Sequence, residues 1–416
     1  MQLIIHRGTQ EIGGSCVEVR SNSNRILIDF GIPLVFNRQQ FDINLLKAKS
    51  VDELKAQRIL PDIRGLYKNE SKGIDAILIS HSHLDHYGLL QYVDQKIPVY
   101  LSEGANILIE VSNVFIPIKV GRLNTRIIKH GKQFAIGEFV VTPFLVDHSA
   151  FDALAFLIEA DGKRLFYSGD FRGHGRKSAF FKQILKNPPK EIDCLLMEGT
   201  MLGRKDVVCK DEEAVQQKIE DILKTNDRYT FLFTSSQNID RIVSAYKACL
   251  KTDSLFVIDI YTAFVLERLS LISEHIPQYS WRNVRVMLAR FYAEKLKEAS
   301  FDDLLSRYKK KAIYMYEIRL RRNKTLILSR DNSIFRNMAN NFDCIPGSTI
   351  IYSQWEGYLT DEFLDFCRGR NLKIEKVHAS GHARLEDLKE FACALKPRKL
   401  IPIHTFESGR YPSTFE

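Results

Sequence analysis

His81-Ser82-His83-Leu84-Asp85-His86 stands directly after the run Ile74-Asp75-Ala76-Ile77-Leu78-Ile79-Ser80, and the two together decide the fold. The run is apolar, β-branched and short, which predicts a buried strand, so the six residues after it fall on a loop at its carboxyl end. Strand ends are where α/β sheets build their sites. A loop leaving a strand can turn His81 and His83 toward one cation while Asp85 and His86 turn toward a neighbour. Imidazole with carboxylate suits Zn²⁺ or a similar borderline ion, and two such ions roughly 3.5–4 Å apart can clamp an in-line displacement.

A two-metal centre needs donors from elsewhere, and three more apolar runs end in one. His148 closes Phe144-Leu145-Val146-Asp147-His148, Asp170 closes Leu165-Phe166-Tyr167-Ser168-Gly169-Asp170, and His404 closes Leu400-Ile401-Pro402-Ile403-His404. Asp170 is the natural bridge, because a carboxylate can give one oxygen to each ion, and Gly169 before it permits a tight backbone path. Arg25-Ile26-Leu27-Ile28-Asp29-Phe30-Gly31 is a further strand ending in a carboxylate, and Asp29 reads as a residue that orients a ligand without touching the metal. Gly13-Gly14 reads as the tight turn of an amino-terminal hairpin.

The pattern H-x-H-x-D-H followed by an isolated His, an Asp and a final His resembles the metallo-β-lactamase superfamily, and all seven positions are filled: His81, His83, Asp85, His86, His148, Asp170 and His404. Within that superfamily, Cys194-Leu195-Leu196-Met197-Glu198-Gly199-Thr200 and Val377-His378-Ala379-Ser380-Gly381-His382-Ala383 resemble motifs A and B of the β-CASP nucleases, and His404 resembles motif C. Ser-Gly-His-Ala and Pro-Ile-His are similar to the ribonuclease J group. The resemblance implies an αββα sandwich at 1–203 and 377–416 with an inserted α/β (β-CASP) domain at 204–376. It implies two divalent ions, zinc with manganese as the alternative, and hydrolysis of RNA phosphodiesters by exonuclease or endonuclease action. Asp85, Glu198 and His382 are the implied catalytic side chains. Two cations spread the charge of the transition state and generate the attacking hydroxide, while Glu198 keeps the His382 imidazole charged so that it protonates the leaving oxygen or bonds the phosphate.

The insertion alternates elements: a helix from Asp211 to Leu223, a strand from Tyr229 to Thr234, a helix from Ile239 to Leu250 and a strand from Leu255 to Ile260, which predicts a parallel sheet. Ser235-Ser236-Gln237-Asn238 lies between strand and helix, where Ser235 and Ser236 either hold a substrate phosphate or leave the segment to cap the helix. Ser380 and Gly381 are placed beside His382 for the same purpose.

The chain has 416 residues, 45% of them hydrophobic, and a net charge of +9, which suits a large core and a polyanionic partner. Arg285, Arg290, Lys309, Lys310, Lys311, Arg319, Arg321, Arg322 and Lys324 cluster in one stretch, interleaved with Phe291, Tyr292, Tyr308, Tyr314 and Tyr316. Such a surface is expected to bind single-stranded RNA, with single-stranded DNA as the alternative. Seven cysteines without a C-x-x-C pair fit a reducing compartment. No basic-then-apolar leader and no run of 18 apolar residues is present, so a cytoplasmic protein without membrane insertion is expected. The chain runs twelve residues beyond His404, so the carboxyl-terminal domain typical of the group is not expected, and the oligomeric state is left open. Three other functions use part of this pattern: a DNA nuclease of the same fold, a metallo-hydrolase of small esters, thioesters or lactams, and an RNA-binding subunit with an inert metal lobe.

Overall fold

Residues 17, 19, 26 and 28 alternate with polar or oppositely directed neighbours along two adjacent strands, and this period of two carries the first layer of the fold. The computed structural model describes residues 1–36, 39–47, 49–71, 73–204, 208–341 and 346–415. The chain divides into two compact units, Met1–Lys205 with Gly381–Glu416, and Asp206–Ser380.

In the first unit, one six-stranded sheet runs in the order Gln2–Arg7, Cys16–Ser21, Asn24–Ile28, Ala76–Leu78, Pro98–Leu101 and Asn124–Ile127. Its first three strands are antiparallel, with Gly13 and Gly14 at positive φ in the connection between Gln2–Arg7 and Cys16–Ser21, and the remainder are parallel. The second sheet runs Lys399–Ile403, Cys194–Glu198, Lys163–Tyr167, Leu154–Ala160, Phe139–Leu145 and Phe134–Ile136. Val17, Val19, Ile26, Ile28 and Leu78 of the first sheet meet Val141, Phe156, Ile158, Leu165 and Leu196 of the second in one buried cluster. The opposite face of the first sheet, with Leu27, Ile77 and Ile79, is covered by Leu54 of the helix Val51–Ala56 and by Ala105 and Ile109 of the helix Glu103–Phe115. The opposite face of the second, with Phe166, Leu195 and Met197, is covered by Phe181 and Ile184 of Ser178–Lys186 and by Leu388, Phe391 and Leu395 of Leu385–Leu395. The layers are therefore helix, sheet, sheet, helix, which is the αββα sandwich.

The second unit holds one sheet in the order Val284–Met287, Leu255–Asp259, Thr325–Ser329, Thr230–Phe233, Thr349–Tyr352 and Lys373–Lys376, with every pairing parallel. Helices Glu212–Thr225 and Ile239–Lys251 and strand Leu255–Asp259 begin and end within two residues of the spans read from the sequence. Arg241 is fully buried here and its charge is matched: Nε and Nη2 donate to the two Glu212 oxygens at 3.0 and 2.9 Å, and Nη1 and Nη2 donate to the carbonyls of Ser353 and Ala379.

The aromatic residues of the basic stretch separate into two kinds. Tyr292 and Tyr308 belong to the core, Tyr308 with its hydroxyl on Glu267, whereas Phe291, Tyr314 and Tyr316 are exposed. Tyr292 and Tyr308, which interleave the basic residues in sequence, thus serve packing, and Phe291, Tyr314 and Tyr316 are the rings of this set open to a ligand. Six cysteines are free among the described residues, and Cys344 lies outside them. Among the described residues no helix is long and apolar enough to cross a membrane.

Candidate metal centre

All the donor-bearing loops of the first unit leave the carboxyl ends of strands. Lys163–Tyr167, Cys194–Glu198 and Lys399–Ile403 are consecutive parallel strands, and they deliver Asp170, Glu198 and His404 side by side. In the facing sheet, the parallel neighbours Asn24–Ile28 and Ala76–Leu78 deliver Asp29 and His81. Two site residues pay a backbone cost, with Asp29 at φ 57° and His404 at φ 53°, in the left-handed region that non-glycine residues seldom occupy. Gly31 has the opposite reason for its identity. A Cβ there would lie 1.6 Å from the Asp85 carbonyl oxygen, because Phe30 and Ile32 bond the backbone of the helix Leu84–Tyr87 on either side of it.

Two groups of donors result. His83 Nδ1 lies 3.1 Å from His81 Nε2 and 3.2 Å from His148 Nε2, three imidazole nitrogens turned on one point. Beside them His404 Nε2 lies 3.1 Å and His86 Nε2 3.8 Å from Asp85 Oδ2. Asp170 joins the groups: its Oδ2 is 3.2 Å from His86 Nε2, 3.7 Å from His81 Nε2 and 4.0 Å from His148 Nε2, and its Oδ1 is 3.7 Å from His404 Nδ1. All seven sequence-predicted ligands are thus brought together.

The surrounding hydrogen bonds fix which nitrogen faces inward. Asp29 Oδ2 accepts from His86 Nδ1 at 2.8 Å, leaving Nε2 buried and without a hydrogen bond. Ser80 Oγ donates to Asp29 Oδ2 at 2.8 Å, so it accepts from His81 Nδ1 at 3.0 Å. Thr200 Oγ1 donates to the His404 carbonyl and accepts from His404 Nδ1 at 2.9 Å. His148 Nδ1 donates to the Gly381 carbonyl at 2.6 Å. Four imidazoles therefore present Nε2 and one, His83, presents Nδ1, as metal-binding histidines held by outer partners do.

Protonation follows the same plan. Burial, then the neighbouring imidazoles, hold His81 and His148 well below the ordinary histidine value, and burial brings His83 to about 4. Burial opposes charge on His86 as well, but Asp170, Asp29 and Asp85 together lift it well above that value. Asp85 falls to about 2 against its burial, drawn down by His86 and His404. Asp170 is drawn well below its usual range by His404, His86 and His382 despite its burial. The neutral imidazoles of His81, His83 and His148, the anionic carboxylates, and a His86 that a cation would have to displace a proton from make a donor set that fits divalent cations.

Glu198 and His382 stand at the edge of this cluster. Glu198 is buried, with Oε1 accepting from Ala383 N at 2.9 Å and Oε2 from Thr200 N at 2.8 Å. His382 Nδ1 is 3.5 Å from Glu198 Oε1 and 3.7 Å from Asp170 Oδ2. Burial works against a charged His382, yet Glu198 first and Asp170 next raise its pKa overall.

The proposed phosphate contacts fall in different surroundings. Gly381 is next to His382 and its carbonyl is committed to His148. Ser380, the last residue of the inserted unit, is half-buried. Ser235 is exposed and its Oγ accepts from Gln237 N at 3.2 Å, whereas Ser236 is buried between Thr262 Oγ1 and Arg330 Nη2. Asn238 is the residue that caps the helix after them, accepting from Arg241 N.

Sequence reasoning passed over Asp147 and Arg172. Both are fully buried; Arg172 Nε donates to Asp147 Oδ1 at 3.3 Å, Arg172 N to the Asp147 carbonyl at 2.7 Å, and Gly175 N to Asp147 Oδ2 at 2.6 Å. The pair ties the loop of His148 to the loop of Asp170. The one available signal was position, since each stands within two residues of a predicted ligand. His174, two residues beyond Arg172, has its side chain largely covered, with Nδ1 3.3 Å from Asp387 Oδ2.

Comparison with known proteins gives the same reading. The model of the Beta-lactamase superfamily domain matches residues 50–227, and that of the Zn-dependent metallo-hydrolase RNA specificity domain matches residues 369–408. The chain is 24% identical over 424 residues to Ribonuclease J of Mycoplasma genitalium, covering 95% of this chain and 66% of that protein. It is 24% identical over 276 residues to an RNase J-like protein of Methanocaldococcus jannaschii, covering 62% and 58% of the two, and 21% identical over 430 residues to Ribonuclease J of Helicobacter pylori, covering 95% and 55%. The chain thus spans 66% or less of the length of these relatives. A crystal structure of a protein of unknown function from Enterococcus faecalis shares the fold, with a TM-score of 0.77 at 22% identity over 98% of this chain and 95% of that one. With its helix–sheet–sheet–helix layers and seven gathered donors, the chain carries a metallo-β-lactamase domain together with a Zn-dependent metallo-hydrolase RNA specificity domain, and it is similar to proteins named Ribonuclease J.

Proposed function

We propose that this protein is a metal-dependent hydrolase of RNA phosphodiester bonds. The observation that carries the reading is the Glu198–His382 pair beside Asp170, because the alkoxide leaving a phosphodiester needs a proton and this pair sets an acid next to the gathered donors. Two divalent cations would be held by His81, His83 and His148 and by Asp85, His86 and His404, with Asp170 beside both groups, and when bound they would supply Lewis acidity for the non-bridging oxygens and lower the pKa of water. Zinc suits the imidazole-rich set, with manganese as the alternative.

The chain's own residues do the rest. Asp29, Ser80, Thr200 and the Gly381 carbonyl keep four imidazoles in the tautomer that faces the centre. Glu198 faces His382 Nδ1, which keeps a proton there and leaves Nε2–H to protonate the leaving oxygen. RNA as substrate is supported by the match to an RNA specificity domain and by relatives named Ribonuclease J.

The test is to incubate metal-loaded protein with 5′-labelled single-stranded RNA and with DNA of the same sequence, with and without chelator. Cleavage of RNA that chelator abolishes is expected, and the product lengths distinguish end-directed from internal cutting. Failure to cut RNA under any metal tried, with the fold intact, removes the proposal.

A further inference from the structure

Between residues 304 and 324 stand eight Lys or Arg and a single acid, Glu317, and that acid is spent on local structure, accepting from Tyr314 N at 2.9 Å. Lys309, Lys310, Arg321 and Arg322 are exposed and pair with no carboxylate among the described residues. So dense a charge repels itself, which costs stability unless a polyanion relieves it. The segment is nonetheless held in place. Val286, in the strand Val284–Met287 at one edge of the parallel sheet, donates to the Lys311 carbonyl and accepts from Ile313 N, both within 3.0 Å.

The short helix Met315–Leu320 that follows turns apolar surface to water. Tyr314 is 56%, Tyr316 65% and Leu320 83% exposed. The two tyrosine rings are parallel to within 7°, with centroids 6.3 Å apart. Tyr292 and Tyr308, in the same stretch, are buried, and Phe291 is 52% exposed, less than Tyr314 or Tyr316. Parallel, exposed phenol rings among unpaired cations present a flat π-face beside positive charge. A nucleobase stacks on the first while its phosphates meet the second.

We propose that residues 309–322 form a binding surface for single-stranded nucleic acid, with Tyr314 and Tyr316 stacking on bases and Lys309, Lys310, Arg321 and Arg322 meeting phosphates. This deepens the reading of the protein as a ribonuclease and rests on it for the choice of RNA. The surface acts on binding, sequence-tolerantly, because every base has a π-face and no side chain in the turn is set to read a base edge.

The full chain, metal removed with chelator so that nothing is cut, is titrated with a fluorescent single-stranded RNA across a range of salt. Y314A/Y316A is expected to bind about tenfold or more weakly, and Y314F/Y316F, which keeps both rings, to bind like the unaltered protein. K309Q/K310Q should lower the slope of log affinity against log salt by about 1 to 1.5, from roughly 0.7 per phosphate contact, and K218Q/K224Q, exposed cations on the helix Glu212–Thr225, should leave it unchanged. Equal binding by Y314A/Y316A, or equal slopes for the two lysine pairs, overturns the surface. Cleavage by the metal-loaded unaltered protein is measured in parallel: cutting with unaffected variants sinks this surface alone, whereas neither cutting nor binding sinks the ribonuclease reading with it.

Discussion

Asp29 Oδ2 lies 2.8 Å from Nδ1 of His86, and this contact decides which end of the imidazole faces the cluster. The same carboxylate accepts from Ser80 N at 2.7 Å, Ser80 Oγ at 2.8 Å and Tyr167 Oη at 2.7 Å, four donors on two oxygens at full burial. An amide offers one oxygen and adds two hydrogens. D29N, whose side chain tolerates the left-handed backbone, is therefore expected to keep the fold and lose metal affinity by about 10–100-fold, measured by competition with a chromophoric chelator. Metal binding at the original strength would show that His86 needs no such partner.

Removing His382 should separate chemistry from metal binding. H382A is expected to retain its metal content by elemental analysis while kcat falls by about 10²–10⁴, the range for loss of a general acid. E198Q should fall less, since it keeps a hydrogen-bond acceptor next to Nδ1, 3.5 Å away, but loses the charge. A loss of metal from H382A equal to that from H148A would instead make His382 a ligand.

Truncating one half of the buried Asp147–Arg172 pair strands the other. D147A is expected to lose about 3–5 kcal/mol in urea unfolding, because the fully buried guanidinium keeps its charge without its nearest carboxylate. Metal-free protein should show the loss as clearly as metal-loaded protein, since the pair ties two backbone loops. A change under about 1 kcal/mol would mean the remaining partners of Arg172 suffice.

Acid sensitivity should be traceable to Glu18. Burial raises its pKa, but bonds from His6 at 2.9 Å, Arg20 at 2.5 Å and Arg25 at 2.7 Å outweigh that and leave it well below the usual carboxylate range. A carboxyl whose folded pKa is depressed stabilises fully above its unfolded value, about 4.3, and the contribution is lost as pH falls below that value toward the folded one. E18Q should be less stable than the unaltered protein at pH 7, with the two stability curves converging below about pH 4. Parallel curves down to pH 3 would assign acid sensitivity elsewhere.

How much of this was legible before the structure depends on the kind of residue. His81, His83, Asp85, His86, His148, Asp170 and His404 could be picked out because they follow the ends of four apolar runs, and neighbouring parallel strands bring their carboxyl ends together. Asp147 and Arg172 could not, since an acid and a base far apart in sequence announce nothing until two loops meet. Ser80 and Thr200 were equally silent: a hydroxyl chooses its role by its neighbours. Composition marked the basic stretch, but only burial separated Tyr292 and Tyr308 from Tyr314 and Tyr316, because aromatic residues serve a core and a surface alike. Within the inserted unit the alternation of elements was plain, while the strand order was not, because periodicity says which face is buried and not which strand lies beside it.

The strand Lys399–Ile403 lies beside Cys194–Glu198 although two hundred residues of chain separate them, and the donor it carries, His404, completes the cluster. During synthesis on the ribosome, the nascent polypeptide therefore displays six of the seven donors long before the last emerges. The donor set is therefore whole only after the last strand of the second sheet has been made and has docked beside a partner synthesised two hundred residues earlier.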